Sequence, residues 1–328
     1  MLPCIHKHLV KNIILKMTEP IPNFPDSRLF TINDFEWYYK YYLKNGLNPY
    51  VDIHPENMLA WLNISNNLSI SKLDNSFVLN YTNILDNNHN NIIPIANSLK
   101  DSTIERIMLY LHDNNLPLEL HEIPSIICDK LDQNKWQITD DRDSFEYILD
   151  TNQQSTLRGN VFYHRRRNIG IFERMYPNES INVKYYNVFN DNVKKVFLHH
   201  IATMPFNSRE ESSINNLAEP IAIRNNIKYA LTFKKKALII TINGEIVSIA
   251  MISYLDKNTA AINHIKVNYS IQNIFRYTIY QLAKILNKNG IKEMNFEQDL
   301  GIEGMRAFKN HLQPSRFLEK KIIRPRHQ

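Results

Sequence analysis

A chain of 328 residues with 43% hydrophobic and 22% charged side chains has the material for one large or two ordinary globular domains, which excludes compositional disorder. A formal charge of +6 favours a polyanionic partner such as RNA, an anionic lipid surface or a phosphorylated donor, and fits a generally basic solvated surface equally well. Two distant cysteines, Cys4 and Cys128, exclude a disulfide framework and cysteine metal ligation, and the histidines form no ligand cluster, so no metal is expected and a reducing, cytoplasmic setting fits best.

No apolar run approaches the roughly 18 residues that cross a bilayer. Residues 9–15 are apolar but interrupted by Lys11 and Asn12, which argues against a signal peptide, and Met17 is a candidate native start. Pro20, Pro22 and Pro25 mark residues 1–25 as an irregular N-terminal segment. Thr31 to Asp34 reads as an acidic capping box. It opens a helix whose stripe of Phe35, Tyr38, Tyr39, Tyr42 and Leu43 predicts packing rather than a stacking platform.

Residues 68–81 predict two strands, 87–91 a polar loop and 92–96 a further strand. Ser102 to Glu105 caps a helix carrying Ile104, Ile107, Met108 and Leu111 on one face. Residues 116–123 predict a strand, 124–131 a short helix, 145–149 a strand and 153–175 one helix. Alternation of strands and helices predicts an α/β fold, or α+β with a mixed sheet.

The second half repeats this order more clearly. Residues 183–188 read as a strand, and Val193, Val196, Phe197, His200, Ile201 and Met204 as one face of a helix; a polar loop then runs to about Ala218. Asn243-Gly244 predicts a tight hairpin between strands at 237–242 and 245–254, and a third strand follows at 259–267. A helix carrying Ile271 to Leu286 closes at Asn289-Gly290, before a strand at 291–296 and a helix at 302–312. Helix, three-stranded meander, helix, strand and helix is the order of an N-acyltransferase (GNAT) fold. The first half reads as a rougher copy. The division is therefore 26–178, a first, degenerate GNAT-like half, and 179–328, a second GNAT-like half carrying the site.

Two segments narrow the reading. The first contains Phe145 to Leu149, Leu157-Arg158-Gly159, then His164-Arg165-Arg166-Arg167-Asn168 and Phe172. The second runs from Asn295-Phe296-Glu297-Gln298-Asp299-Leu300-Gly301 to Met305-Arg306, with Lys309 and Pro314 beyond. Together they resemble the signature stretches of the phosphatidylglycerol lysyltransferase C-terminal domain family. The resemblance implies two tandem GNAT-like halves and transfer of an aminoacyl group from charged tRNA to an acceptor. The best-known relatives use a lipid head group; a small molecule or a peptide is the alternative acceptor. The chain departs from the membrane-bound relatives in lacking a transmembrane part. It also carries Asn160 where many relatives have a basic residue.

Aminoacyl transfer needs a neutral nucleophile, an activated ester and stabilisation of an oxyanion, with no metal or other cofactor. Glu297 and Asp299, at i and i+2, share a face if the strand continues straight, and either serves as a base or amine-binding carboxylate. A cap for Asp299 and an arginine partner for Glu297 are the structural alternatives. On the following helix Met305, Phe308 and Leu312 predict the buried face, leaving Arg306 and Lys309 side by side on another face to hold a phosphate or the tRNA terminus.

The expected catalytic set is thus Asp299, Glu297 and Lys309, and the donor-binding set Asn295, Arg306, Arg165, Arg166, Arg167 and Asn168. Three consecutive arginines on a helix spread around it, so one turns inward while others meet a nucleic-acid backbone. Lys234, Lys235 and Lys236 read as a solvated run, and His264 as a satisfied core or edge histidine.

An acyl-CoA donor is the alternative. Its pyrophosphate usually sits on a Gly-rich turn after the central strand, and residues 267–273 contain no glycine. A degenerate fold serving as a binding module, and a cell-wall bridge transferase, are the other readings. The latter lacks its long helical arm.

Overall fold

The computed structural model describes residues 19–47, 50–65, 68–82, 90–177, 180–203 and 215–326. Cys4, the apolar stretch 9–15 and Met17 lie outside these residues, as do 87–89 of the loop expected at 87–91, Met204 of the expected helix face and 205–214 of the polar loop; Asn90 and Asn91 belong to a strand.

In chain order the first unit is β1 (Arg28–Leu29), α1 (Phe35–Lys44), α2 (Pro55–Ser65), β2 (Ser69–Leu73), β3 (Ser76–Thr82), β4 (Asn90–Ile95), α3 (Asp101–Asp113) and β5 (Leu120–Pro124). Then come β6 (Trp136–Asp140), β7 (Glu146–Asp150), α4 (Thr151–Thr156) and α5 (Tyr163–Met175). The second unit is β8 (Ile181–Tyr186), α6 (Asp191–Thr203), α7 (Asn215–Lys228), β9 (Lys236–Ile242), β10 (Glu245–Tyr254), β11 (Thr259–Val267), α8 (Ile274–Lys288) and β12 (Glu293–Gln298). It ends in α9 (Glu303–His311), β13 (Arg316–Leu318) and β14 (Lys320–Pro325). The order strand, two helices, three-stranded meander, helix, strand occurs twice. The molecule is an α/β protein with mixed sheets built as two tandem GNAT-like units.

The closing strands are exchanged between the units. β7 pairs with β12 in a seven-stranded sheet of order β13-β7-β12-β11-β10-β9-β8, while β14 lies between β5 and β6. β7 of the first unit thus lies among strands of the second, and β14 of the second among strands of the first. Helices α2 and α7 also meet across the units, where Asn225 donates to the Ala60 carbonyl at 2.7 Å.

Local sequence accounts for much of this. The Thr31/Asp34 capping box forms, and Asp34 also takes a two-pronged contact from Arg28. Tyr38 and Tyr42 of the aromatic stripe are fully buried, and their hydroxyls donate to the Ile53 and Tyr50 carbonyls.

Other segments differ from the sequence reading. The single helix expected over 153–175 is broken, because Leu157 (φ +50°) and Gly159 (φ +95°) turn the chain left-handed between α4 and α5. The helix expected at 124–131 is only a 3-10 turn, Ser125–Ile127. Part of the expected polar loop is helix α7. The sequence pattern predicts neither helix α2 nor strands β1, β6, β13 and β14.

Candidate active site

β11 and β12 run parallel and pair only from Thr259/Glu293 to Ala261/Asn295, although β11 continues to Val267 and β12 to Gln298. Beyond Ala261 the two strands separate. On its other side β12 pairs with β7, where Asn295 faces Ile148 and Gln298 faces Glu146. Three steps on β12 thus match two on β7, so β12 carries a one-residue bulge. Glu297 sits in it with φ +59°, a conformation strained for a residue with a Cβ.

The bulge is held from two sides. Asn295 is buried; its Oδ1 accepts the Glu297 N–H at 2.7 Å and its amide donates to Glu146 at 2.6 Å. Lys309 of α9 is buried too. Its ammonium donates to the Phe296 and Gln298 carbonyls, 2.6 Å each, closing over the two peptide oxygens that flank Glu297. Burial pushes the Lys309 pKa down to about 8, against the pull of Glu297 and Asp299.

The Glu297 side chain is half-buried. It receives a hydrogen bond from Asn263 of β11. Asn263 in turn accepts from Lys235 (3.1 Å) and Ser253 (2.6 Å). Lys235, fully buried, lies 2.8 Å from Glu56 and 2.5 Å from Ser253. Glu56 comes from α2, so the first unit supplies part of the wall. Burial pushes the Glu297 carboxyl up to about 7, with Lys309 and Lys235 pulling the other way. A carboxyl of that kind exchanges its proton near neutral pH, as a general base requires.

Asp299 is placed differently. The bulge breaks the i, i+2 relation, so Asp299 does not share a face with Glu297. Its carboxylate is fully buried and accepts from Tyr147 (2.5 Å), Arg142 (3.1 Å), Arg306 (3.0 and 2.9 Å) and the Gly301 N–H (3.0 Å). Burial alone would raise its pKa, but the Arg306 and Tyr147 bonds hold it below the ordinary carboxylate range. With its oxygens engaged in this way it is a poor proton acceptor and a good anchor for the β12–α9 turn. Arg306 is spent on the same turn, bonding Asp299 and, at 2.6 Å, Asp143. Arg306 and Lys309 therefore diverge, and Lys309, not Met305 or Phe308, is the buried member of that helix.

The basic segment spreads as helical geometry demands. Arg165 turns inward and is 1% exposed; its Nη1 donates to Gln154 and to the Leu312 carbonyl. Arg166 folds back on the Leu157 and Gly159 carbonyls. Arg167 is exposed and Asn168 half-buried. Of the three arginines, Arg166 and Arg167 are exposed and Arg165 is not. His264 is held by Asn226 at 2.9 Å. Sequence reasoning missed Lys235, Glu56 and Asn263. For Lys235 the run Lys234-Lys235-Lys236 concealed that its middle member enters the strand-flanking interior.

Among the described residues no cluster of histidine, cysteine, aspartate or glutamate suits a metal, and no helix is long and apolar enough to cross a membrane. Two tandem GNAT-like units are the architecture of the acyltransferase class. The chain matches the family Phosphatidylglycerol lysyltransferase, C-terminal, over residues 46–323, and belongs to it.

A conserved protein of unknown function from Bacteroides thetaiotaomicron superposes with a TM-score of 0.74 at 18% identity, over 92% of this chain and 99% of that one. The L-PGS of Bacillus licheniformis gives 0.50 at 12% identity, over 84% and 92%. The C-terminal domain of a putative lysylphosphatidylglycerol synthetase from Agrobacterium fabrum gives 0.50 at 10%, over 87% and 90%. At such identities these likenesses are of fold alone. Comparison with curated protein sequences gives no match.

Proposed function

We propose that this chain transfers an aminoacyl group from a charged tRNA to an amine or hydroxyl acceptor, with Glu297 as the base. The observation that carries the proposal is the Glu297 carboxyl itself. It is set in a left-handed bulge at the open splay, held by Asn295 and Lys309, with its pKa raised to about 7.

In the reaction the acceptor nitrogen or oxygen attacks the ester carbonyl carbon. Its proton passes to Glu297, the new C–N or C–O bond forms, and the bond to the ribose oxygen breaks. The leaving ribose oxygen then takes that proton from Glu297, which restores the base. Asn295 and Lys309 act as positioning residues, fixing the peptide units on either side of the base. Asp299 and Arg306 hold the turn that carries Lys309. The family supports an aminoacyl donor; the glycine-free turn at 267–273 and the charge of +6 favour tRNA over CoA. The acceptor is a small molecule, a peptide or a lipid head group, and the setting is cytoplasmic.

The test is transfer of a radiolabelled amino acid from charged tRNA to candidate acceptor pools, with and without ribonuclease. Ribonuclease-sensitive transfer that disappears in Glu297→Gln supports the reading. Ribonuclease-resistant acylation that consumes acetyl-CoA overturns the donor.

A further inference from the structure

We infer that Arg165, Arg276 and His311 form a phosphate-binding site beside the end of α9, where Arg165 reaches the Leu312 carbonyl and Phe275, next to Arg276, packs on Phe308. It deepens the donor reading above and in that respect rests on it, since α8 and α9 are the helices that leave the two separating strands.

The observation is an incomplete guanidinium. Arg165 is 1% exposed, yet only its Nη1 is bonded, to the Gln154 side chain and the Leu312 carbonyl. Its Nε and Nη2 are buried without a partner. That edge is the one with which arginine grips two oxygens of a phosphate. Buried donors left unpaired are costly, and a buried charge ordinarily has a counter-ion. Among the described residues no carboxylate pairs with Arg165. The charge that acts on it is Arg276, which with burial pushes its pKa down to about 10.

His311 is in the same field. Burial, then Arg276, Arg165 and His164, all lower its pKa. Arg276 itself makes no ion pair among the described residues. The α9 C-terminal carbonyl at Leu312 and the neutral Gln154 offset only a fraction of this positive charge. Two guanidinium groups and a histidine, with an unpartnered bidentate edge on Arg165, suit an anion carrying several oxygens. A phosphodiester near the donor's 3′ end and free phosphate share that chemistry.

The test follows the His311 ring by NMR while inorganic phosphate is added to the full chain. Phosphate should shift the ring saturably and raise its pKa, because an anion reverses the sign of the local field. Arg276→Gln, a half-buried position that spares the fold, should weaken phosphate binding at least about threefold. Arg165→Gln, if it folds, should weaken it further. Glu297→Gln should leave it unchanged, which separates this site from the base. A cytidylyl-cytidylyl-adenosine trinucleotide that competes with phosphate assigns the site to the donor. Phosphate binding that the trinucleotide does not displace overturns that assignment and makes the site one for free phosphate. An unperturbed His311, or equal affinity in Arg276→Gln, overturns the site itself.

Discussion

Glu122 on β5 and Glu297 on β12 hold equivalent places in the two units and share one backbone conformation, φ +60° and +59°. Each lies on the strand after the helix that follows the meander, and burial raises the pKa of each. Their surroundings differ. Glu122 is tied down by the Tyr81 hydroxyl and by the Asn91 amide (3.2 Å), while its N–H is given to Asp141 at 2.8 Å. Glu297 receives Asn263 and lies in the field of two lysines, Lys309 and Lys235. The same strained device is thus tied into a hydrogen-bond knot in the first unit and set beside two lysines in the second.

This difference makes opposite forecasts for the two carboxylates. Glu122→Ala leaves Tyr81 and Asn91 without an acceptor and should cost about 1–3 kcal/mol of stability, with turnover per folded molecule near normal. Glu297→Gln should lower turnover about 100-fold or more, the scale of a lost general base, with a small change in melting temperature. Denaturant unfolding and single-turnover transfer, measured on both variants, check this. Near-normal transfer by Glu297→Gln would remove Glu297 from the chemistry.

Local signals were legible in the sequence wherever the cause is local. The Asn243-Gly244 turn takes left-handed φ values at both residues, +50° and +85°, as that dipeptide predicts. Apolar periodicity gave the order of elements in the second half, and with it the GNAT-like fold, while the first half read only as a rougher copy. The site was legible as a segment and not as a geometry. A period-two reading puts Glu297 and Asp299 on one face, and a single bulged residue undoes it. Asn295, whose Oδ1 accepts the Glu297 N–H, is the one local element of that bulge; its carbonyls are satisfied by Lys309, thirteen residues beyond Phe296, which no local pattern announces. The exchange of β7 and β14 and the burial of Lys235 against Glu56 are equally non-local. They depend on pairings across 179 residues in the case of Lys235 and Glu56, which no window of sequence contains.

A raised Glu297 pKa gives a signed pH dependence. The base form populates as pH rises through about 7, so transfer should increase from pH 6 to pH 8 and level off. The folded value lies above the model-peptide value of about 4.5, so the folded state keeps a proton that the unfolded chain has released. The stability from this group is fully present below about 4.5 and is lost as pH rises through about 7. Glu297→Gln should flatten that fall. Urea unfolding at pH 5 and pH 8 measures it, and an unchanged slope in the variant would place the titration elsewhere.

Lys309→Met should reduce both stability and turnover. The methionine fills similar space but leaves the Phe296 and Gln298 carbonyls without their donor, at about 1–3 kcal/mol, and frees the bulge that aims Glu297. Lys309→Arg should restore less of the activity than of the stability, since a planar guanidinium does not reproduce a point-like ammonium between two carbonyls. A Met variant with full turnover would show that the bulge holds its own shape.

Asp299→Asn tests whether this carboxylate anchors the turn. The acid is the acceptor at the centre of Arg142, Arg306, Tyr147 and the Gly301 N–H. An amide keeps one acceptor oxygen and turns an NH2 group toward the arginines, so the cost should be about 2 kcal/mol. Gly301→Ala should disturb the same turn by another route: Gly301 has φ +72°, and a Cβ there meets Asp143 Oδ2 at 2.8 Å. Asp299 also carries a sign. Its pKa is depressed when folded, so its contribution is present above the ordinary aspartate value of about 3.8 and is lost as pH falls through the folded one. Asp299→Asn should therefore narrow the gap to the parent protein in acid and widen it at neutral pH. Its transfer rate, corrected for the folded fraction, should stay within about tenfold of the parent's, well short of the roughly 100-fold or greater loss that marks a proton acceptor. A loss of that size without any change in melting temperature would return Asp299 to the chemistry and displace Glu297 as its sole carboxylate.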